Sequence, residues 1–336
     1  MTSLLICADA SPATGAGHVM RCLALALAAR EVGLAPRLVG RMTVPWLRER
    51  LAKTDIRVTE VDGSVPVREN PQDLLARMDG TKADWLALDG YHFGTDCHKA
   101  ARRAGCGLLV IDDYNHLPEY HCDILLNQNP GSDDFVYKGG IGRKLLGPKY
   151  ALLRPEFSAA RRKAEQRVFS GSARNILLTL GGGDCSARLE HIARHCALPA
   201  LAGCALTVVA GAMPEENIRT ALKHCPARLE ILRSVDDMPA LLLATDLCVT
   251  AGGGTCWELC CLGVPFLTVE VAENQAGIVS GLQKRGFTPM LTEENFCRFM
   301  DDAELRAHVA SLGLAMVSGE GAFAVAHCIK AGNRIH

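Results

Sequence analysis

The sequence predicts an α/β protein of two Rossmann-like, doubly wound domains facing a central cleft, and three observations predict it. Short apolar runs alternate with amphipathic segments from end to end, the pattern of βαβ units and parallel sheets. That pattern breaks off in a charged, then Ser- and Gly-bearing stretch, "ALLRPEFSAARRKAEQRVFSGSA" (151–173), and restarts beyond it. At 336 residues the chain is too long for one average core and suits two domains of roughly 150 residues each.

In the first half, strands are expected at "LLICA" (4–8), "PRLVG" (36–40), "IRVTEV" (56–61), "WLALD" (85–89) and "GLLVID" (107–112), with helices between them. This gives an N-terminal domain over 1–150, followed by a linker over 151–173. The second half repeats the texture with "NILLTL" (175–180), "ALTVVA" (205–210), "LEILR" (229–233), "LCVTA" (247–251) and "PFLTVE" (265–270), giving a second domain over 174–315. The final segment, 316–336, contains "GAFAVAHCIKAGNRI", an amphipathic helix able to close back on either domain. Both sheets end strands in glycine-rich or acidic loops, at the carboxyl edge where open α/β sheets bind ligands.

Composition narrows the function classes. Hydrophobic residues make up 49% and charged residues 22%, as in ordinary folded protein. A formal net charge of -1 gives no global reason to expect nucleic acid or an anionic membrane as partner. "MTSLLICADASP" lacks the basic start and long apolar run of a signal peptide, and no stretch reads as a span of ~20 apolar residues, so a cytoplasmic monomer is expected. The fifteen cysteines are read as reduced core residues. The densest group, "CWELCC" (256–261), lacks paired C-x-x-C spacing and a nearby histidine, so it reads as a helix of small hydrophobes rather than a metal site.

Four loops carry possible chemistry. In "SPATGAGHVMRCLALA" (11–26), Gly15 and Gly17 permit close backbone approach, and the helix that follows directs free N–H groups and its positive end at the turn. Met20 stands where a dinucleotide fingerprint needs glycine. His18, in the first helical turn, is favoured as neutral imidazole and suits a general base; an ordinary polar first-turn residue is the plainer alternative. "TLGGGDCS" (179–186) offers Gly181 and Gly182 as a phosphate cradle, or simply a tight turn, without the P-loop lysine. "TAGGGTCWELCCLGVP" (250–265) offers Gly253, Gly254 and Thr255 at a helix start, with Glu258 one turn inside, where a carboxylate can accept from both ribose hydroxyls. "AENQ" supplies Glu273, Asn274 and Gln275, side chains suited to sugar hydroxyl and acetamido groups, or to a helix cap. The paired acids Asp112/Asp113, Asp133/Asp134 and Asp236/Asp237 read as loop and cap residues.

In this order the loops resemble a known family along nearly the whole chain: the UDP-2,4-diacetamido-2,4,6-trideoxy-β-L-altropyranose hydrolases of pseudaminic acid biosynthesis, with the GT-B fold of MurG-like glycosyltransferases. The stretches that carry the resemblance are "ADASPATGAGHVMRCLALA", "LDGYHF", "IDDYNHLPEYHCDILLNQNPG", "GPKYALLRPEF", "LTLGGGD", "AGGGTCWELCCLGVPFLTV" and "AENQ". The resemblance implies a small-molecule UDP-sugar substrate, with UDP on the C-terminal domain and the sugar toward the N-terminal one. It implies inverting, metal-independent attack of water on the anomeric carbon, with no cofactor, in a pathway that feeds flagellin glycosylation. It gives His18 the role of base or water-positioning group and places Tyr91 and Asn274 near the sugar. Asp9, Gly15, Gly17, Glu273 and Gln275 join them as expected substrate-binding residues. Gly181, Gly182, Gly253, Gly254, Thr255 and Glu258 take the nucleotide. The chain departs from the family pattern at Gly183, Cys185, Gly254 and Cys256, on the expected nucleotide loops, and at Cys7, expected beside the sugar. Arg21 is expected to steady the turn or an interdomain contact.

Two other functions fit the same loops. A GT-B glycosyltransferase would replace water by an acceptor hydroxyl, and "VPWLRERL" (44–51) is a weak candidate for an acceptor patch. A non-catalytic nucleotide-sugar binding relative would keep the loops without turnover.

Overall fold

The computed structural model describes residues 1–12, 14–78, 83–269, 275–287 and 290–332. The chain divides into two compact units, the first made of Met1–Pro155 with Gly319–His336 and the second of Glu156–Ser318.

Unit 1 runs β1 (Ser3–Ala8), α1 (Gly17–Glu31), β2 (Ala35–Gly40), α2 (Pro45–Ala52), β3 (Arg57–Glu60), α3 (Pro71–Met78), β4 (Trp85–Asp89), α4 (Thr95–Arg103), β5 (Gly107–Ile111), β6 (Tyr120–Asn127) and β7 (Gly139–Leu146). Its seven strands are all parallel, in the order β3-β2-β1-β4-β5-β6-β7. The order reverses between β1 and β4, so the loops after these strands diverge and leave a crevice at their carboxyl ends. Register sharpens the point: Ala8 pairs with Asp89, and Asp89 with Ile111. Asp9, Asp89–Tyr91 and Asp112–Tyr114 therefore leave three adjacent strands at one edge.

The strand period of two divides β1 between two cores. Leu4, Ile6 and Ala8 pack with α1 and α2, while Leu5 and Cys7 face the layer of α3 and α4. Cys7 is thus fully buried, in the layer away from α1. In α2, Leu47 and Leu51 are buried in the core and Trp46 packs against it, so "VPWLRERL" turns its apolar residues inward rather than toward an acceptor.

The sequence reading missed β6 and β7. The connection from β5 to β6 spans only residues 112–119 and contains no α-helix, so the usual helical crossover signal is missing. β7, "GGIGRKLL", is a largely exposed edge strand whose glycines and cations hide the apolar alternation.

Unit 2 runs α5 (Pro155–Ala164), β8 (Asn175–Thr179), α6 (Ser186–Cys196), β9 (Ala205–Val209), α7 (Glu215–Ala221), β10 (Arg228–Leu232), α8 (Met238–Leu243), β11 (Leu247–Ala251), α9 (Thr255–Cys261), β12 (Phe266–Val269), α10 (Ala276–Gln283), α11 (Glu293–Asp301) and α12 (Ala303–Met316). Its parallel sheet is ordered β10-β9-β8-β11-β12, with the switch point between β8 and β11.

The charged helical stretch of the region read as a linker, 151–173, forms α5, and the division between the two units falls at its start. Phe157 is fully buried, and Arg161 donates to the carbonyls of Cys261, Leu314 and Val317, tying α5 to the C-terminal ends of α9 and α12. The last helix, α13 (Gly321–Lys330), joins unit 1: Ala322, Val325, Ala326 and Ile329 share the α1 core. Only glycine fits at 321, since a Cβ would lie 2.4 Å from the Ala151 carbonyl oxygen. Taken end to end, Ala303–Lys330 is long and apolar enough to cross a membrane, contrary to the sequence reading, but half of its most apolar stretch is buried. Its two helices are separated at 317–320 and belong to different units.

All fifteen cysteines are free thiols, twelve of them buried. Cys256, Cys260 and Cys261 serve as small core side chains of α9.

Candidate active site

The turn before α1 is closed by Ser11 and Thr14, whose hydroxyls and amides bond one another, and by the Gly15 amide donating to the Ser11 carbonyl at 2.8 Å. Gly15 adopts φ +72°, which glycine takes without strain. No side chain caps α1 and no acidic residue lies in its first turn. A Cβ on Gly17 would meet nothing within 4 Å, so the helix start opens onto clear space.

His18 and Arg21 are three residues apart and share a helix face, which meets the end of β4. His18 Nδ1–H donates to Asp89 Oδ1 at 2.7 Å. Arg21 grips the same carboxylate through Nε and Nη2, both at 2.7 Å, and reaches Asp113 through Nη1 and Nη2 at 2.8 and 2.9 Å. Arg21 Nη2 also lies 3.2 Å from His18 Nδ1, but both atoms donate to Asp89 Oδ1, which settles the sharing. The Asp89 side chain is fully buried. Burial alone would raise its pKa, yet the Arg21 charge, and after it His18, hold it well below the usual carboxylate range. Asp113 is likewise lowered, with burial outweighed by Arg21.

An ionised Asp89 can only accept, so Nδ1 of His18 carries the proton between them and Nε2 is the nitrogen left to exchange one. Among the described residues Nε2 has no hydrogen-bond partner, and the side chain is 16% exposed. This is the histidine–carboxylate half of a proton-transfer triad, able to take a proton on Nε2 while Asp89 stabilises the imidazolium.

Tyr91 donates its hydroxyl to Asp113 at 2.8 Å and sets its ring edge-on to His18, centroids 5.1 Å apart. Asn129 donates to Asp113 as well. The structure brings His18 and Tyr91, both singled out in the sequence, together with Asp89 and Asp113, and Asn129 on Asp113, which were not singled out as their partners, while Arg21 was given only a steadying role. The acid-ended strands were the available signal, but nothing local shows that Arg21 closes on two of those acids. Asp112 is more than a loop residue: it accepts from His116, Tyr120, Tyr137, Asn127 and the Asn115 amide. Asp237, by contrast, caps α8 as expected.

Asp9 points elsewhere. Its carboxylate is closed in with Glu69, Arg41, Arg77 and His92: Arg41 donates from its amide at 2.6 Å and from Nη1 at 3.1 Å, and both Arg77 Nη atoms donate at 3.2 Å. His92 Nε2 is at ion-pair distance, 3.0 Å, without hydrogen-bond alignment. With 1% of its side chain exposed, Asp9, expected from sequence at the sugar, is closed into this network in the structure. Asp9, Glu69 and His92 also bring possible metal ligands within 4.8 Å of one another. Arg41 and Arg77 already donate to both carboxylates, however, so a cation would meet two positive charges.

In unit 2 the two glycine loops leave the adjacent strands β8 and β11, whose Thr179 and Thr250 are in register. Gly181 has φ +96°, and α6 has no side-chain cap of its own. Asp184 instead accepts from the Ser186 amide and hydroxyl, which lowers its pKa. Gly253 and Gly254 face open space, where a Cβ would touch nothing within 4 Å; at Gly252 it would collide with Val279 Cγ2 at 2.6 Å and crowd Gln275. Thr255 opens α9, Glu258 sits in its first turn, and Gln275 lies against this loop. Gly182 lies beside the Gly211 turn. Cys185 and Cys256 are buried, their thiols directed at the carbonyls of Leu180 and Ala251, so these departures lie beneath the loops. Glu273 and Asn274 lie outside the described residues.

No protein-family model matches the chain. It is 24% identical over 331 residues to the spore coat polysaccharide biosynthesis protein SpsG of Bacillus subtilis, covering 94% of each. It is 22% identical over 290 residues to the UDP-2,4-diacetamido-2,4,6-trideoxy-β-L-altropyranose hydrolase of Campylobacter jejuni, covering 84% of this chain and 97% of that protein. Among solved structures it is similar to MurG of Acinetobacter baumannii, with TM-score 0.68 and 16% identity over 98% of this chain and 100% of that one. It is also similar to MnaA of S. aureus solved with UDP, with TM-score 0.66 and 13% identity over 98% and 96% of the two chains. The fold is therefore of the two-domain GT-B type.

Proposed function

We propose that the protein is a nucleotide-sugar hydrolase that cleaves UDP-2,4-diacetamido-2,4,6-trideoxy-β-L-altropyranose to UDP and the free sugar, with inversion. The observation that carries this reading is the His18–Asp89 pair, with the Nδ1 proton held between them and Nε2 available at the switch point of unit 1. Support comes also from the ordered loop motifs and from the similarity to the Campylobacter hydrolase.

In the reaction, His18 Nε2 takes a proton from water as the water oxygen attacks the anomeric carbon. The bond from that carbon to the diphosphate oxygen breaks, and UDP leaves with the electron pair. The unit 2 glycine loops receive the diphosphate through backbone N–H groups at the starts of α6 and α9, with Glu258 on the ribose. Tyr91, edge-on to His18, contacts the sugar in this reading. No resident metal or cofactor is needed in this scheme, because UDP is already a good leaving group.

The test is incubation with the UDP-sugar in ¹⁸O-water, following UDP release and the first-formed anomer by NMR. The label is expected in the sugar and release is expected to depend on His18; label in UDP, or release unchanged in His18→Ala, refutes the reading. A second reading, transfer to an acceptor hydroxyl, draws on the same base and on the likeness to MurG. Slow hydrolysis with fast transfer to an added acceptor would establish it instead.

A further inference from the structure

We propose that Tyr114 is a specificity-determining residue, forming with Tyr91 an aromatic ledge that receives an apolar face of the sugar and selects methyl-bearing sugars over fully hydroxylated ones. The proposal rests on the reading of the unit 1 site as the sugar side of a nucleotide-sugar enzyme.

Tyr114 is a large side chain left 41% exposed. Its ring meets Tyr91 edge-on at 5.1 Å and His116 at 5.4 Å, while Tyr91 meets His18 at 5.1 Å. An exposed aromatic is thus one ring removed from the proposed base. The turn that presents it is built at a cost. Asn115 adopts φ +56°, the only non-glycine with positive φ among the described residues. Asp112 holds that turn from below, accepting from the Asn115 amide and from His116 Nδ1, both at 2.8 Å. In the same turn Asp113 faces inward to Arg21, so the turn fastens the dyad with one residue and raises the ledge with the next.

An aromatic face offers no hydrogen bond to replace those a hydroxyl makes with water, but it gains by covering a methyl group or a C–H face. It favours deoxy and acetamido substituents for that reason. A methylene in a hydrophobic pocket is worth on the order of 10- to 200-fold, and a half-open ledge takes the low end of that range.

The test uses full-length His18→Ala protein, in which turnover is expected to be slow enough for binding to be titrated. The UDP-diacetamido-trideoxy sugar and its counterpart with a hydroxymethyl in place of the C-methyl are each titrated calorimetrically. The parent is expected to prefer the methyl sugar by about tenfold or more. Adding Tyr114→Ala should bring the ratio to within about threefold of one, while Tyr114→Phe, which keeps the ring, should preserve it. An unchanged ratio in Tyr114→Ala overturns the proposal, as does a parent with no preference or no binding of either sugar. Binding without any cleavage by the wild-type protein would instead overturn the hydrolase reading alone.

Discussion

The two units place their sheet reversals alike and equip them oppositely. At the carboxyl edge of β1 and β4, unit 1 gathers charge: Arg21 lies between Asp89 and Asp113, and His18 hangs from one of them. At the carboxyl edge of β8 and β11, unit 2 gathers glycine, with Gly253 and Gly254 open to space and Asp184 turned onto its own helix start. The difference teaches that topology supplies only the crevice. Buried, paired side chains fit unit 1 for proton transfer, while bare backbone at helix starts fits unit 2 for anion binding.

The contrast breaks first at His18. In His18→Ala, steady-state UDP release should fall by about 10²- to 10⁴-fold with UDP affinity by calorimetry unchanged, since the loss of a general base is confined to unit 1. A parallel loss of UDP affinity would mean that the two edges do not divide the work.

Asp89→Asn should act on both activity and stability. It removes the carboxylate that accepts from His18 Nδ1 and leaves a buried cation short of a partner, at about 3–5 kcal/mol of unfolding free energy at neutral pH. Because the folded pKa of Asp89 is depressed below its ordinary 3.8, its stabilisation is fully present above about pH 4 and is lost as pH falls below that value. Denaturant titrations should therefore show a shallower acid limb in the variant than in the wild type. Equal slopes would show that Asp89 is not held ionised by the fold.

Asp9→Asn sharpens the comparison within unit 1. Because the Asp9 carboxylate group holds Arg41 and Arg77, unfolding free energy is expected to drop by about 3–5 kcal/mol, with KM for the UDP-sugar in the surviving folded protein within about twofold. A stable variant with a greatly raised KM would restore Asp9 to the sugar.

The smallest effects separate packing from binding in unit 2. Gly252→Ala should cost about 1–3 kcal/mol of stability, because the added methyl meets Val279. Gly253→Ala should leave the melting temperature nearly unchanged and weaken UDP about tenfold by filling clear space at the loop. Reversal of this pair would place the anion away from Gly253.

Much of this was legible in the residues. Ten of the strands announce themselves as apolar runs, most plainly β4, β5, β11 and β12, which are buried and have no polar face to disguise them. The glycine loops and His18 stand out because turn residues and helix starts are local chemistry. The edge strand β7 was illegible, since exposure lets glycine and cations occupy it. The fate of Asp9, Asp89 and Asp113 was also illegible. All three are aspartates next to strand ends, yet one is sealed in with Arg41 and Arg77 while the others close on Arg21.

The sequence by itself therefore determined the doubly wound class, the carboxyl-edge loops and the identity of the histidine, all of which depend on neighbours within a few residues. Only the tertiary structure decided which acids ionise beside His18, that Arg21 orders them, and that Tyr114 stands exposed one ring away. Those outcomes depend on strand order and register, which bring Asp89 beside Ala8 and Ile111 although 81 and 22 residues of chain separate them. Burial then makes their charges interact strongly enough to set protonation.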